Sequence, residues 1–255
     1  MSDCVKCNVK SKRSSTKSAS KRKAPRRLRP FVAATFAMTV DGKITTHTFA
    51  PVDFTSREDK SHLIRQRALA DAVLIGYGTL KRDNVRLSIA RASLCQERIA
   101  RKQSAYPLRV IVSNEGRIDP ELNVFNTDPN AAGPIVIFST TRMPRRYQKM
   151  LREKATLVLG TTRQVDLAWM LRQLRREYKV RTVACEGGAQ LFRGLLERRL
   201  VDQLNVTIAP VLFGGEAAPT LTGISKEFLP ASVRCSLRDM RVIGDECFLT
   251  YRIHN

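Results

Sequence analysis

Apolar and polar positions follow two rhythms along this chain. Short apolar runs recur at residues 31–39, 72–75, 109–112, 135–138, 156–159 and 180–185. Their length suits strands buried on both faces better than helices. Helical spacing appears between them. Residues 167–177 place Leu167, Met170, Leu171 and Leu174 on one helical face,. Residues 55–70 read as a helix capped by Thr55 or Ser56, with Glu58 or Asp59 in its first turn,. Residues 190–198 read as another helix, and 76–79 as a turn into a short one. Residues 40–44 form a turn around Gly42, followed by loop to 52,. Residues 80–91 read as loop, and the very basic 92–106 as helical or irregular. From 201 onward the pattern is strand only: a long run at 201–211, then 233–237 and 247–253. Residues 212–229 form a surface excursion between them.

Strand–helix repeats followed by strands alone predict an α/β fold. The expectation is a mostly parallel central sheet with antiparallel C-terminal strands and helices on both faces. No linker breaks the body, so residues 29–255 are expected to form a single domain,.

Composition changes this picture at the N-terminus. The chain has 255 residues, 43% of them hydrophobic, enough for a sizeable core,. Its net charge is +22, of which residues 1–29 hold +10. Residues 1–28 are Ser, Lys and Arg with almost nothing apolar, so they are expected to be a disordered basic tail,. Such a tail is either a dispensable extension or a weak arm for polyanions, bound through their phosphates. No run of 18 apolar residues exists to span a membrane, and the basic start lacks a secretory apolar segment,. Six scattered cysteines fit reduced thiols, so a cytoplasmic protein is expected,. Cys4 and Cys7 have the spacing of half a zinc site. His47, His62 and His254 are isolated, no second pair exists, and no metal is expected,.

The chemistry concentrates at strand ends. Cys185-Glu186-Gly187-Gly188-Ala189 puts a carboxylate and two glycines at a strand-to-helix junction. Backbone N–H groups there face outward, and glycine lets a phosphate approach them. Gly76-Tyr77-Gly78-Thr79 is a second such junction, and the pair points to a dinucleotide. Neither turn matches G-x-G-x-x-G, which argues against a conventional Rossmann assignment. Asp41 beside Gly42, Asp83 in its polar loop and Glu186 are three carboxylates on three loops, placed to converge at one sheet edge,. Lys43, Thr55, Arg67, Thr79, Arg91 and the Ser139-Thr140-Thr141-Arg142 stretch add donors for anions,.

The ordered motifs carry a resemblance. They are Arg29-Pro30-Phe31, Met38-Thr39-Val40-Asp41-Gly42-Lys43, Asp71-Ala72-Val73-Leu74-Ile75-Gly76-Tyr77-Gly78-Thr79, Asp83-Asn84-Val85-Arg86-Leu87-Ser88, Leu108-Arg109-Val110-Ile111-Val112, Glu186-Gly187-Gly188-Ala189, Val201-Asp202-Gln203-Leu204 and Ile208-Ala209-Pro210. Together they resemble the riboflavin-biosynthesis pyrimidine reductase family, the reductase part of the RibD-type proteins, over residues 29–253. The resemblance implies a dihydrofolate-reductase-like fold, NADPH as cofactor and a homodimer. The implied substrate is 2,5-diamino-6-ribosylamino-4(3H)-pyrimidinone 5′-phosphate or its deaminated form, reduced to the ribitylamino product. It implies Thr55, Arg67, Asp83, Leu87 and Arg91 as substrate contacts, with Arg91 one residue out of register and Glu186 also among the substrate positions. Asp41 and Glu186 are the expected catalytic carboxylates at the reacting groups. Gly76, Gly78, Thr79, Gly187 and Gly188 are expected to hold the cofactor. Ser139, Thr140 and Arg142, by their place after a strand and their charge, are candidates for its adenosine phosphate. No His-x-Glu with paired downstream cysteines is present, so deamination is expected to come from another protein,. Two other readings remain: a reductase of this fold acting on another pterin or pyrimidine, and a nucleic-acid-binding protein using its tail.

Overall fold

The computed structural model describes residues 28–46, 48, 53–223, 229 and 232–254. The expected basic tail, apart from Leu28, lies outside the described residues, as do Cys4 and Cys7. In chain order the elements are β1 (Phe31–Thr39), α1 (Arg57–Leu69), β2 (Ala72–Gly76), α2 (Tyr77–Asp83), α3 (Ala92–Ala100), β3 (Leu108–Val112), β4 (Ile135–Thr140), α4 (Arg145–Arg152), β5 (Thr156–Gly160), α5 (Leu167–Arg176), β6 (Thr182–Gly187), α6 (Ala189–Glu197), β7 (Gln203–Ala209), β8 (Cys235–Ile243) and β9 (Glu246–Ile253).

These nine strands form one sheet in the order β5-β4-β3-β2-β6-β1-β7-β9-β8. Pairing is parallel from β5 through β7, and antiparallel for β7–β9 and β9–β8. The expected mostly parallel sheet with an antiparallel C-terminal edge is therefore what forms.

Continuous apolar runs are explained by burial on both faces. Leu74, Val110, Val136 and Phe138 pack on one face with Met170, Leu171 and Leu174 of α5 and Phe192 and Leu195 of α6. Their neighbours Val73, Ile75, Ile111, Ile135 and Ile137 pack on the other with Leu80 of α2 and Leu151 of α4. Successive strand residues point to opposite faces, so every position must be apolar when helices cover both.

Ser56 is the cap of α1: its hydroxyl accepts from the N–H groups of Glu58 and Asp59. Several boundaries differ from the sequence reading. α2 extends to Asp83 because Leu80 is fully buried beneath it, and it stops at Asn84 in the left-handed conformation (φ 44°). α4 was not expected at all. It is only eight residues long, four of them basic, and it turns just Tyr147 and Leu151 to the core. β6 starts at Thr182 and runs on through Glu186 and Gly187, and β7 is shorter at both ends than 201–211. β8 outlasts the expected 233–237. It is an almost wholly exposed edge strand held by its hydrogen-bond ladder to β9, and Arg238, Asp239 and Arg241 interrupt its apolar residues,.

The winding order positions the site. The chain steps outward from β2 to β5, then returns to insert β6 between β2 and β1. That reversal opens a crevice at the carboxyl ends of β2 and β6.

Candidate active site

A cleft of about 880 Å³ occupies this crevice. Gly76, Gly78 and Thr79 form one wall, and Gly187 and Gly188 another, as the two glycine junctions predict. Gly188 has φ +78°, and an added Cβ would lie 2.6 Å from the Thr79 hydroxyl. At Gly187 the same atom would lie 3.0 Å from the Ile75 side chain. The two turns thus press together in a way only glycine permits. Neither helix start beside them has a side-chain cap, so first-turn N–H groups are left for an anion,.

Arg82, Arg117, Arg193 and Arg198 also line the cleft. They give it a positive field suited to phosphates. The sequence reading missed all four. Their signal was there, since Arg82 follows one glycine turn and Arg193 and Arg198 the other by one to three helical turns.

Ser139, Thr140 and Arg142 do not join them. Ser139 and Thr140 have no exposed surface, because β4 runs through Thr140 and keeps both inside the sheet. The Thr140 hydroxyl donates to the Asn114 carbonyl and accepts from the Arg142 N–H. Arg142 is exposed but lies outside the cleft lining. The end of β3 supplies that wall instead, through Ser113, Asn114 and Glu115.

Glu186 occupies an irregular position in β6. Leu74 of β2 pairs with Cys185, but Ile75 pairs with Gly187, so Glu186 is an extra residue with no partner across from it. Such a bulge re-aims a side chain, and here it turns the carboxylate to α1. Arg67 Nε donates to one Glu186 oxygen at 2.6 Å and Nη2 to the other at 2.7 Å. Nη1 donates to the Ser88 carbonyl at 3.0 Å. The Arg67 and Glu186 side chains are only 11% and 6% exposed. Burial alone would lower the guanidinium pKa; the Glu186 charge and hydrogen bonds outweigh it and raise the value. Three expected site residues, Arg67, Glu186 and Leu87, are thus gathered near one another, although none of them lines the cleft. Leu87 is buried with φ 56°, an unusual conformation for a leucine that turns the 84–91 segment toward Arg67,.

The other candidates are dispersed over different partners. Asp83 pairs with Arg82 at 3.4 Å; partial burial raises its carboxyl pKa against that opposing charge. Arg91 donates to the Ser61 hydroxyl. Thr55 precedes Ser56, whose N–H and hydroxyl both donate to the buried Glu246 carboxylate at 2.8 and 2.5 Å. Asp41 accepts from the Thr39 hydroxyl at 2.5 Å, the Gly214 N–H at 2.7 Å and the Phe213 N–H at 3.2 Å. The Thr39 bond, with the backbone bonds from Gly214, Phe213 and Asp41 itself, outweighs the opposing effect of burial and holds its carboxyl below the ordinary range. Asp41 does not line the cleft.

The arrangement offers phosphate seats, a basic wall and, behind the β2–β6 junction, a paired carboxylate. The residues present fit a nicotinamide dinucleotide: uncapped first-turn N–H groups follow both glycine turns, and Gly78 leaves open space where a Cβ would stand.

Comparison with known proteins agrees in extent and in fold. The family model described as the RibD C-terminal domain matches residues 30–249. The chain is 30% identical over 227 residues to the 2,5-diamino-6-ribosylamino-4(3H)-pyrimidinone 5′-phosphate reductase of Methanothermobacter thermautotrophicus, covering 89% of this chain and 99% of the relative. It is 28% identical to the protein of the same name from Archaeoglobus fulgidus, covering 89% and 100%. Among solved structures, a pyrimidine reductase-like protein from Corynebacterium diphtheriae superposes with a TM-score of 0.75 at 18% identity, covering 89% of this chain and 92% of that one.

Proposed function

Since the chain belongs to the RibD C-terminal domain family, we propose that it is the reductase of riboflavin biosynthesis that converts 2,5-diamino-6-ribosylamino-4(3H)-pyrimidinone 5′-phosphate into its ribitylamino product with NADPH. The observation that carries this reading is the Glu186 bulge. It turns the Glu186 carboxylate onto Arg67 at the junction of β2 and β6, one residue before the glycine cradle.

A bound nicotinamide cofactor supplies the hydride. The chain's own residues do the rest. First-turn N–H groups after Gly188 and the Gly76–Gly78 turn seat phosphates, and glycine keeps side chains away from them,. Arg82, Arg117, Arg193 and Arg198 favour the more highly charged NADPH over NADH,. Opening of the ribosylamine gives an imine whose protonated form is positive at the reacting carbon. Glu186 lies in a region poor in water and stabilises that charge there,. Arg67 orients Glu186 through two hydrogen bonds, and its third bond fixes Ser88 beside Leu87. Thr55, Asp83, Leu87 and Arg91 frame the substrate side. The single reductase domain over 29–255 acts in the cytoplasm, consistent with four free cysteines among the described residues. It works as a homodimer: the edge strand β8 exposes Leu237, Met240, Val242 and Ile243, which a second copy covers,.

The test is to incubate the purified protein with NADPH and, separately, the diamino substrate or its deaminated form, and to identify products by mass. A product two hydrogens heavier from the diamino compound supports the proposal. NADPH oxidation only with a different pterin or pyrimidine refutes it.

A further inference from the structure

The turn after β1 and the excursion after β7 are stitched together. The Val40 N–H donates to the Val211 carbonyl at 3.0 Å, and the Ile44 N–H to the Pro219 carbonyl at 3.0 Å. Lys43 bridges to Thr220, and its Nζ donates to the Ala218 carbonyl at 3.1 Å. Asp41 closes the far end through the Phe213 and Gly214 N–H groups. Gly214, within that clasp, and Gly215 after it have φ +63° and +79° and turn the excursion back toward the cleft. Its far side carries Pro219, Thr222 and Gly223 into the cleft lining beside Ile44. An added Cβ on Gly223 would meet Ala189 at the start of α6 at 3.7 Å. Residues 211–223 are thus a strap forming the cleft wall beside Ala189, next to the glycine cradle.

We infer that Asp41 is a positioning residue, not an acid–base group: its carboxylate pins the strap to the first strand's turn and so sets the wall against which the cofactor binds. Every hydrogen bond Asp41 makes across the structure is one it accepts, and both carboxylate oxygens are engaged. This is the arrangement of a clasp: donors from the first strand's turn and from the strap converge on one carboxylate,. The low carboxyl pKa agrees. The effect on NADPH rests on the reductase reading given above; the clasp does not.

The test compares Asp41→Ala and Lys43→Met with wild type, the second variant loosening the same strap without touching Asp41. Limited chymotrypsin digestion of the cofactor-free protein reads strap opening as cleavage after Leu212, which is 72% exposed, or Phe213. Both variants should be cut faster, Asp41→Ala by roughly tenfold for the loss of charge-assisted hydrogen bonds at a solvent-exposed site. Fluorescence titration should show weaker NADPH binding in both, and NADPH should slow cleavage of the wild type. Turnover at saturating NADPH should keep its wild-type pH profile. Cleavage unchanged in Asp41→Ala overturns the clasp. So does a collapse of turnover in Asp41→Ala with unchanged cleavage and NADPH affinity and a wild-type-like Lys43→Met. Faster cleavage in both variants, with no NADPH binding even to wild type, supports the clasp and refutes the reductase reading instead.

Discussion

Replacing Arg67 by methionine isolates the physics of the paired carboxylate. Methionine keeps the apolar stem but removes two hydrogen bonds to Glu186, at 2.6 and 2.7 Å, and one to the Ser88 carbonyl. The Glu186 side chain, 6% exposed, is left charged with no partner of opposite sign at hand. Breaking such a pair from one side costs about 3–5 kcal/mol. The stranded carboxylate limits that loss by taking up a proton, so Arg67→Met should be closer to wild type in acid and fall behind as pH rises. Removing both charges avoids the stranded group. Arg67→Met/Glu186→Leu should recover most of the loss, giving a coupling of about 2–3 kcal/mol in a double-mutant cycle. Urea denaturation at pH 5 and pH 8 measures all four proteins. Turnover should not return with stability, because the double variant lacks the Glu186 carboxylate. A single variant within about 1 kcal/mol of wild type at pH 8, together with a coupling near zero, would refute the argument that Arg67 serves Glu186. Recovered turnover in the double variant would refute the catalytic half.

Gly188→Ala, with φ +78° and its new Cβ 2.6 Å from the Thr79 hydroxyl, should cost about 1–2 kcal/mol in thermal denaturation and weaken NADPH in titrations; unchanged affinity would take the cofactor off this turn,. Arg117→Gln should raise the KM for NADPH more than for NADH, and equal effects on both would remove Arg117 from the phosphate's surroundings,. Asp71 accepts from the Arg181 and Thr182 N–H groups, the Thr182 hydroxyl and Gln103, tying the starts of β2 and β6. Burial opposes its ionisation, but these bonds together lower its pKa. Its contribution is therefore complete above the ordinary carboxylate range and lost as pH falls through the lowered value. Asp71→Asn should cost about 1–3 kcal/mol at pH 7, with the gap to wild type closing in acid as measured by urea denaturation; a gap independent of pH would contradict the assignment.

Local features were legible and non-local ones were not. Both glycine junctions could be read because a strand, a glycine and a helix start lie within a few residues. The Ser56 cap was likewise visible in its own first turn. Glu186 was singled out, yet nothing in its neighbourhood encodes the bulge, which depends on the register between β2 and β6. Its pairing with Arg67 spans 119 residues of sequence. The Asp41-Gly42 turn was plain, but its clasp partner lies 172 residues away. Ser139 and Thr140 were misplaced by two residues of strand: had β4 ended at Phe138, they would have opened onto the sheet edge. The arginine wall escaped notice because 45 Lys and Arg residues hide any four that converge. The central sheet was legible because burial on both faces writes unbroken apolar runs, whereas α4 is two turns long and turns only Tyr147 and Leu151 to the core.

Single-turnover reduction with NADPH deuterated at the transferred position, in wild type and Glu186→Gln, tests the central claim most directly. The account predicts deuterium on the sugar carbon of the wild-type product. It predicts that folded Glu186→Gln forms the same product at least about 100-fold more slowly. Wild-type speed in Glu186→Gln, or a product without the label on that carbon, would contradict it.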